Sequence, residues 1–472
     1  MPFPRRPRRE ILSSLSDALP FPFWLDDPQR PFPEPALTKL VSTDLLVVGA
    51  GFTGLWTAFL AKETDHSRQV MLIEAEETGV GASGRNGGFV SASLTHGLEN
   101  GLKHWPDELR KITAMGQVNL EAIQAVVQGY HIDCDFLRSG ELLVATEPYQ
   151  VDELRHLPEI AAPFGENLVW LEQGETQNLV NSPLYLGGLY NPEGVAMINP
   201  AQLAWGLKKV CLNLGVQIYE HTLALSLREE NGAILVRTPY GQVNAKKVAL
   251  ATNAFPPLIK SISRYIVPVY DYVLVTEPLS PTQRASIGWQ GRQGVADTNN
   301  QFHYYRTTLD GRILWGGYDA VYHRNNAVGK HLEVDYEVFG KLAEHFFLTF
   351  PQLIGVRFTH SFGGVIDTCS RFSPFWGKAN SGRVVYVLGF TGLGVGSSRF
   401  GAQVMLDLLD GKSTDRTALK MVRTKPVAFP PEPFRSLVID LTRKSLEQAD
   451  NHQGQRNLWL KVLDAFGLGF DS

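Results

Sequence analysis

The chain has 472 residues, of which 44% are hydrophobic and 19% charged, with a formal net charge of −4. The length predicts two domains rather than one core, and the small negative charge gives no reason to expect a nucleic-acid partner or a polybasic membrane anchor. The three cysteines, Cys134, Cys211 and Cys369, are scattered, which argues against a disulfide framework or a metal site.

Two features of the sequence bear on where in the cell the protein is found. No run approaches the ~18 apolar residues of a membrane-spanning helix. The basic start has no apolar region of signal-peptide length after it. The sequence therefore predicts a cytoplasmic protein with no transmembrane segment.

Residues 1–40 are rich in proline and also carry Phe21, Phe23 and Trp24. Proline at this density favours an extended arm, and the aromatic side chains provide surface for it to bury. We expect a packed arm from about Phe21 onward and a loose basic tip before it; the alternative is a disordered leader.

A strand, a tight turn and a helix are predicted near the start of the first domain. The apolar run Leu45–Val48 ends at Gly49-Ala-Gly51-Phe-Thr-Gly54, and a helical run follows to about Lys62. We call residues 49–54 the first glycine turn. Gly49 permits the turn, Gly51 lets the backbone approach a pyrophosphate, and Gly54 lets the helix pack on the strand.

Glu74 lies at the end of a second apolar strand, Val70–Ile73, twenty residues after Gly54. A carboxylate at this spacing usually holds a ribose hydroxyl of a dinucleotide. The helix N-terminus offers N–H groups and a partial positive charge to the phosphates. The unit therefore predicts dinucleotide binding.

Residues Gly81–Gly88 form a glycine-rich segment that also contains Ser83, Arg85 and Asn86. Backbone of this kind makes a nest lined by hydrogen-bonding side chains, and it can follow a planar, polar cofactor closely. A solvent loop would contain more acidic residues and prolines.

Regular elements are predicted through the middle of the chain. They are helices at Trp105–Gly129 and Pro200–Leu214, and strands at Gly140–Thr146, Val216–Tyr219, Ala233–Arg237 and Lys247–Ala251. The last strand ends in Ala251 and Thr252, small residues at the carboxyl end of a buried strand, where ligands of open parallel sheets lie.

Residues 261–350 have a different pattern, with aromatic residues and alternation of polar and apolar positions. Strands at Phe302–Arg306 and Arg312–Trp315 flank a turn at Asp310-Gly311, and a longer strand precedes them at Tyr265–Thr276. This pattern predicts an antiparallel sheet that forms a separate substrate domain.

A second strand, glycine turn and helix follow at residues 383–409. The run from Arg383 to Leu388 predicts a buried strand, Gly389-Phe-Thr-Gly-Leu-Gly394 is the second glycine turn, and a helix is predicted at about Ser397–Leu409. Two such turns, near opposite chain ends, indicate one sheet. After several prolines, a helix at Leu437–Gln448 and an apolar end at Trp459–Phe470 are expected to pack on the body.

Together these motifs resemble the FAD-dependent D-amino-acid oxidase (DAO) superfamily, and the string Gly81-Ala-Ser-Gly-Arg-Asn-Gly-Gly88 is most similar to its γ-glutamylputrescine oxidase and aminophosphonate oxidoreductase branch. The resemblance covers about residues 20–440. It implies an α/β two-domain protein, with a Rossmann-like FAD-binding fold and an interleaved antiparallel-sheet (α+β) substrate domain.

The predicted organisation has an arm at 1–40, an FAD domain at 41–100, 195–260 and 355–412, a substrate domain at 101–194 and 261–354, and a C-terminal arm and helix at 413–472. The residues expected to bind FAD are Gly49, Gly51, Phe52, Thr53, Gly54, Glu74, Ala75, Gly81, Ala82, Ser83, Gly84, Arg85, Asn86, Gly87, Gly88, Ala251, Thr252, Gly389, Gly392, Leu393, Gly394 and Val395.

The chemistry that the resemblance implies is oxidation of a C–N bond of a primary or secondary amine or amino acid to an imine, with oxygen or another acceptor reoxidising the flavin. Arg306 is the expected clamp for an anionic substrate, and Tyr305 is the aromatic residue expected beside it. The alternative for Arg306 is a hairpin arginine paired to solvent or Asp310. Tyr304 and Tyr305 alternate across the strand, so only one faces the flavin. His303 is expected to be structural.

Two departures from the family pattern affect the expectations. Many relatives have Ser-Gly-His-Gly in the last flavin turn, where this chain has Thr391-Gly-Leu-Gly394. Cys369 lies near the region of a flavin-linking cysteine, but the local pattern differs, so non-covalent FAD is expected. Two other functions stay open: a nicotinamide-dependent dehydrogenase, and a flavoprotein fold that serves only as a binding module.

Overall fold

The computed structural model describes residues 3–4 and 6–465. The α-helices span Arg9–Leu12, Phe52–Thr64, Leu98–His104, Leu109–Gly129, Pro148–Ala161, Gln173–Leu179, Pro200–Asn213, Pro281–Ile287, Tyr336–Thr349, Gly394–Leu409, Asp415–Ala418, Lys420–Arg423, Phe434–Asn451 and Leu458–Ala465. The strands form two large sheets and one two-stranded ribbon.

The first large sheet, called the parallel sheet below, contains the strands Leu40–Val48, Val70–Ile73, Gln217–Tyr219, Ser226–Glu230, Ala233–Arg237, Gln242–Leu250, Phe375–Ala379 and Val384–Leu388. Its central strands are parallel, and their near-continuous apolar sequence agrees with burial on both faces. The strand Gln242–Leu250 lies between Leu40–Val48 and Val384–Leu388.

The register of these strands brings their carboxyl ends to one edge of the sheet. Val48 lies beside Leu250 on one side and Ile73 on the other, and Leu250 lies beside Tyr386. The first and second glycine turns follow the first and last of these strands. Both turns therefore emerge at the same edge.

The second large sheet, called the antiparallel sheet below, contains Glu141–Ala145, Val169–Glu172, Gly187–Asn191, Val267–Thr276, Gly294–Asp297, His303–Thr307, Ile313–Gly317, Val321–Tyr322 and Phe358–Thr368. Most of its pairs are antiparallel, as the alternating pattern predicts. The hairpin His303–Thr307 with Ile313–Gly317 forms around the predicted turn. The predicted fold class, α/β with an interleaved antiparallel-sheet domain, is confirmed.

The packing differs from the predicted domain boundaries in two places. The strand Phe358–Thr368 falls in the predicted FAD domain, but it pairs along its length with Val267–Thr276 of the antiparallel sheet. The helix Leu109–Gly129 falls in the predicted substrate domain, but its apolar face packs in one core with the helices Phe52–Thr64 and Gly394–Leu409. Strand pairing and helix contacts decide these boundaries, and neither is visible in local sequence.

The N-terminal arm is packed over more of its length than expected. Trp24 and Leu25 are buried, in agreement with the prediction, but Phe3 and Ile11 are buried too. Arg8 forms a 2.7 Å ion pair with Glu344, which is buried. The prediction of a loose basic tip was therefore wrong for the described part of the arm.

The C-terminal helix Phe434–Asn451 contacts the antiparallel-sheet domain through Asp450, whose carboxylate accepts hydrogen bonds from Asn300 and Gln301. The predicted apolar end continues as the helix Leu458–Ala465, and its last residues lie outside the described part of the chain. Among the residues described, no helix has the length and apolar character needed to cross a bilayer.

Candidate active site

Close backbone contacts in the first glycine turn require glycine at two of its positions. Gly49 has φ +104°, and a Cβ there would lie 2.5 Å from the carbonyl oxygen of Ala251. A Cβ on Gly54 would lie 1.8 Å from the carbonyl oxygen of Gly49. Only glycine fits at these two positions, because the turn packs against the end of the neighbouring strand and against its own helix.

The helix Phe52–Thr64 begins at this turn with no side chain of its own N-cap residue, Gly51, to satisfy its first N–H groups. The Phe52 N–H donates to Ser83 Oγ at 2.8 Å, so the glycine-rich segment supports the turn. A Cβ on Gly51 would lie 2.9 Å from Ser83 Oγ. The close approach at Gly51 in this structure is therefore to Ser83, and the helix N-terminus presents its positive end to an anion.

Glu74 lies at the same edge of the parallel sheet. Its carboxylate accepts hydrogen bonds from the N–H groups of Ala50 at 2.6 Å and Glu76 at 3.1 Å. Burial raises the pKa of Glu74 above its usual range, while these backbone donors act against the rise. The side chain keeps some exposure, so the remaining lone pairs can accept the hydroxyls of a ribose.

The glycine-rich segment is folded around Asn86. The Asn86 amide donates to the carbonyl oxygens of Ala82 and Ser83, and its own oxygen accepts from the Gly88 N–H at 2.8 Å. Trp24, from the N-terminal arm, donates to the carbonyl of Asn86. The path of this backbone is therefore set from both sides.

Arg85 points from this segment toward the antiparallel sheet. Its guanidinium forms a 2.6 Å ion pair with Glu333 and donates to the carbonyl oxygens of Val80 and Gly363. Its side chain therefore joins the two domains.

The strand His303–Thr307 lies directly against the end of the glycine-rich segment. A Cβ on Gly87 would lie 2.8 Å from the Tyr304 ring, and a Cβ on Gly88 would lie 2.7 Å from Arg306. Tyr304 and Arg306, two residues apart, thus share the face of the antiparallel sheet that meets this segment.

Arg306 lies on the predicted face of its strand, but its side chain is not accessible to a substrate as the prediction requires. Its side chain is fully buried, with one nitrogen donating to the Ile198 carbonyl at 2.5 Å and another 3.7 Å from Asp135. The guanidinium also lies over the Trp24 ring. Burial lowers its pKa to about 10, so it stays protonated at neutral pH. Arg306 packs against Gly88, and it pairs with neither solvent nor Asp310.

Tyr305 lies on the opposite face of the strand, and this corrects its predicted place at the active site. Its ring is 1% exposed and packs against Trp315 and Trp289, and its hydroxyl is 2.6 Å from that of Tyr185. Burial raises its pKa well above 10. Because side chains alternate along a strand, the tyrosine that faces the glycine-rich segment is Tyr304.

His303 shares the face of Tyr305 and is fully buried. Its ring nitrogens lie 2.6 Å from Asp297 and 2.9 Å from His345. This network belongs to the core of the antiparallel-sheet domain, which agrees with the structural role expected for His303.

The second glycine turn is held by Asp367, which the sequence reasoning did not select. The buried Asp367 carboxylate accepts hydrogen bonds from the N–H groups of Gly389 at 2.6 Å and Phe390 at 3.2 Å. Burial raises its pKa to about 7, although these N–H groups oppose the rise. The local signal was an acidic residue inside an apolar strand, but its partner lies 22 residues away.

Cys369 packs behind the second glycine turn. Its thiol is fully buried and donates to the Ser373 carbonyl at 3.1 Å, and burial raises its pKa. A Cβ on Gly389 would lie 2.9 Å from the sulfur. A buried, protonated thiol is poorly suited to a covalent link. Cys134 and Cys211 are buried core residues, as expected.

A histidine from outside the second turn contacts it. His96 Nε2 lies 3.0 Å from the carbonyl oxygen of Thr391, and burial lowers the pKa of the ring, which favours the neutral form. His96 follows the glycine-rich segment by only a few residues. It therefore links that segment to the second glycine turn, which itself lacks histidine.

The residues after the glycine-rich segment are clamped between two helices. A Cβ on Gly396, in the helix Gly394–Leu409, would lie 2.0 Å from the Ser91 carbonyl oxygen. A Cβ on Gly116, in the helix Leu109–Gly129, would lie 2.0 Å from that of Ala92. The local sequence does not reveal the role of these two glycines, because a glycine inside a helix could equally be one that only weakens the helix. The N-cap residue of the helix Gly394–Leu409 is Leu393, whose side chain makes no cap. This helix therefore also presents a free N-terminus.

The two glycine turns, separated by one intervening strand, are about 10 Å apart at the sheet edge. Two helix N-termini that lack a cap from their own N-cap residues, a carboxylate next to one of them and a glycine-rich backbone between the domains therefore converge in one region. Such a set suits a dinucleotide whose phosphates and polar ring need N–H donors. Ala251 and Thr252, which are among the residues predicted to bind FAD, directly follow the intervening strand Gln242–Leu250.

Comparison with known proteins gives consistent matches. Residues 44–408 match the DAO family, described as FAD dependent oxidoreductase. Gamma-glutamylputrescine oxidoreductase of Escherichia coli K12 is 31% identical over 384 residues, which cover 80% of this chain and 86% of that protein. "Probable oxidoreductase OrdL" of Haemophilus influenzae is 27% identical over 396 residues, covering 82% and 88%. Glycine oxidase from Geobacillus kaustophilus has a similar fold, with a TM-score of 0.66, 19% identity, and coverage of 82% of this chain and 100% of that chain.

Proposed function

Because the chain belongs to the DAO family of FAD-dependent oxidoreductases, we propose that it oxidises a C–N bond of an amine or amino acid to an imine, which water then hydrolyses. The family and the FAD cofactor predicted from the sequence are confirmed. The alternatives, a nicotinamide-dependent dehydrogenase and a non-catalytic binding module, are not favoured.

The observation that carries the proposal is the convergence of both glycine turns on one edge of the parallel sheet. A nicotinamide dehydrogenase needs only the first turn and Glu74, and it leaves the second turn and the glycine-rich segment without a ligand. A flavin dinucleotide accounts for all of them. When bound, the flavin supplies the hydride acceptor, and the protein supplies binding, orientation and electrostatics.

We propose roles for three parts of the chain. The first glycine turn and Glu74 hold the adenosine diphosphate, the glycine-rich segment follows the pyrophosphate and flavin, and the second turn aims a helix N-terminus at the pyrimidine end of the ring. Negative charge that develops there on reduction is stabilised by a helix dipole. The buried thiol of Cys369 supports non-covalent attachment.

Oxygen or another acceptor would reoxidise the flavin. We also propose a cytoplasmic location, which the unpaired state of Cys134, Cys211 and Cys369 supports, since thiols persist in a reducing compartment.

The test begins with the purified protein. It is expected to be yellow, with flavin absorption near ~370 and ~450 nm, and anaerobic addition of an amine panel should bleach the ~450 nm band with release of a carbonyl product. The panel contains polyamines, γ-glutamyl amines, aminophosphonates and amino acids. A colourless protein that takes up no FAD would refute the cofactor site. Bound FAD that no amine reduces would refute the reaction.

A further inference from the structure

The face of the antiparallel sheet that meets the glycine-rich segment carries a carboxylate without a cationic partner. Asp271 lies on the strand Val267–Thr276 and is partly exposed. The Tyr304 hydroxyl donates to it at 2.5 Å, and the Tyr272 N–H donates at 2.9 Å. Among the residues that the structure describes, Asp271 forms no ion pair.

The contacts of Tyr304 show where the pair formed by Asp271 and Tyr304 lies in the fold. The Tyr304 ring packs against Gly87 of the glycine-rich segment and lies edge-on to Phe89, with ring centroids 5.9 Å apart. Tyr304 is itself partly exposed. The pair therefore lies where the substrate domain meets the segment proposed to follow the flavin.

Neighbouring positions on this face lack side chains. Gly364 is directly opposite Asp271 in the strand pairing, and a Cβ on Gly316 would lie 2.7 Å from the Tyr304 ring. Arg85 packs on Gly364, but its guanidinium is paired with Glu333 at 2.6 Å. No cation of the described chain therefore neutralises Asp271 directly. The backbone of Gly316 is covered by the Tyr304 ring and that of Gly364 by the Arg85 stem, so the Tyr304 ring is held close to the sheet beside Asp271.

The charges on this face thus differ from those needed to clamp an anion. Arg306 is fully buried and held by Ile198 and Asp135, while Asp271 is partly exposed. A carboxylate with free lone pairs beside an aromatic ring is a good receptor for an ammonium group, through a charge-assisted hydrogen bond and a cation–π contact.

We propose that Asp271 and Tyr304 bind the cationic nitrogen of the substrate, so that the enzyme selects amines without a carboxylate next to the reacting carbon over α-amino acids. This inference rests on the proposed amine oxidation and specifies its substrate class. Asp271 supplies the charge, and its carboxylate takes the ammonium proton before hydride leaves the neighbouring carbon, because only the neutral amine can be oxidised to an imine. Tyr304 orients the Asp271 carboxylate and offers its ring face.

Steady-state kinetics of the FAD-loaded enzyme test the inference, with 1,4-diaminobutane and butylamine compared against glycine and N-methylglycine. The wild type should favour the two simple amines in kcat/KM. Asp271→Asn should raise KM for 1,4-diaminobutane by about 10- to 100-fold, the worth of a hydrogen bond to a charged group, and Asp271→Glu should restore part of the loss. Asp310→Asn is the matched control, because Asp310 pairs with Arg312 at the exposed hairpin turn.

Three outcomes would overturn the inference: preference of the wild type for glycine or N-methylglycine, an unchanged KM in Asp271→Asn, or the same loss in Asp310→Asn. A second measurement needs no variant and no turnover. Tetramethylammonium should perturb the flavin absorption of the wild type at concentrations where acetate does not, and the reverse order would overturn the inference. If no amine bleaches the flavin, the proposed reaction fails, whereas the ammonium titration still tests the binding pair.

Discussion

Replacement of Gly396 by alanine tests how the second glycine turn is positioned. The new Cβ would lie 2.0 Å from the Ser91 carbonyl oxygen and 3.1 Å from its carbon. Both are backbone atoms, so the clash cannot be relieved by a side-chain rotation. The helix Gly394–Leu409 has to move by about 1.5 Å to restore an ordinary van der Waals separation.

Two opposing effects determine how much Gly396→Ala changes the free energy of unfolding. Alanine in place of a helical glycine stabilises by about 0.5–1 kcal/mol, whereas overpacking a rigid contact costs about 1–3 kcal/mol or more. We expect Gly396→Ala to lower the free energy of unfolding by about 1–2 kcal/mol. The shifted helix N-terminus should also weaken FAD binding by at least about tenfold, which corresponds to 1.4 kcal/mol.

The matched control is Gly174→Ala. Gly174 lies in the helix Gln173–Leu179, and a Cβ there meets no atom within 4 Å. This variant should therefore keep its FAD and be as stable as the wild type or slightly more so. Urea unfolding and FAD titration by fluorescence measure both quantities. A Gly396→Ala protein that behaves like Gly174→Ala would refute the clamp around Ser91.

Three further predictions concern other parts of the site. Gly54→Ala should prevent stable FAD binding, because its Cβ would lie 1.8 Å from the Gly49 carbonyl oxygen. Gly51→Ala should weaken FAD binding less, because its Cβ would meet only the Ser83 side chain. Equal FAD affinities of the two variants, measured by equilibrium dialysis, would contradict this prediction. For Asp367, the folded pKa of about 7 lies above the usual 3.8, so its contribution to stability is present below about pH 4 and lost as pH rises to about 7. Over that range the wild type should lose about 4 kcal/mol relative to Asp367→Asn in urea unfolding, and parallel pH profiles would show that the carboxyl does not titrate in this way. Arg306→Met should cost about 1–3 kcal/mol of unfolding free energy, because the buried Ile198 carbonyl loses its hydrogen-bond donor while Asp135 keeps its ion pair with Arg292. The variant should change KM for anionic and uncharged amines alike, and a selective rise for anionic substrates in steady-state kinetics would restore the predicted clamp.

Much of the cofactor site could be predicted from local sequence. The two glycine turns, their strands and helices, and Glu74 all follow from patterns that span fewer than about 35 residues, the size of one strand–helix–strand unit. Within such a unit the chemistry is set by backbone geometry. The glycines have to be glycine because of contacts inside the turn, as at Gly49 and Gly54.

The substrate side was predicted less well, for a reason visible at residues 304–306. Sequence alternation shows that Tyr304 and Tyr305 face opposite ways, but not which of them faces the cofactor. The choice depends on how the hairpin pairs within the antiparallel sheet and on the contact of Gly87 with Tyr304. Arg306 likewise reads as an available cation until the Ile198 carbonyl and Trp24 are seen around it.

The sequence by itself determined the fold class, the cofactor and the order of the elements, because each of these depends on residues close together in the chain. Only the tertiary structure decided which side chains meet at the site: Asp367 with Gly389, Gly396 with Ser91, and Asp271 with Tyr304. These partners are 22 to several hundred residues apart. Strand pairing and the packing of helices on the sheet bring them together, and no local pattern records those contacts.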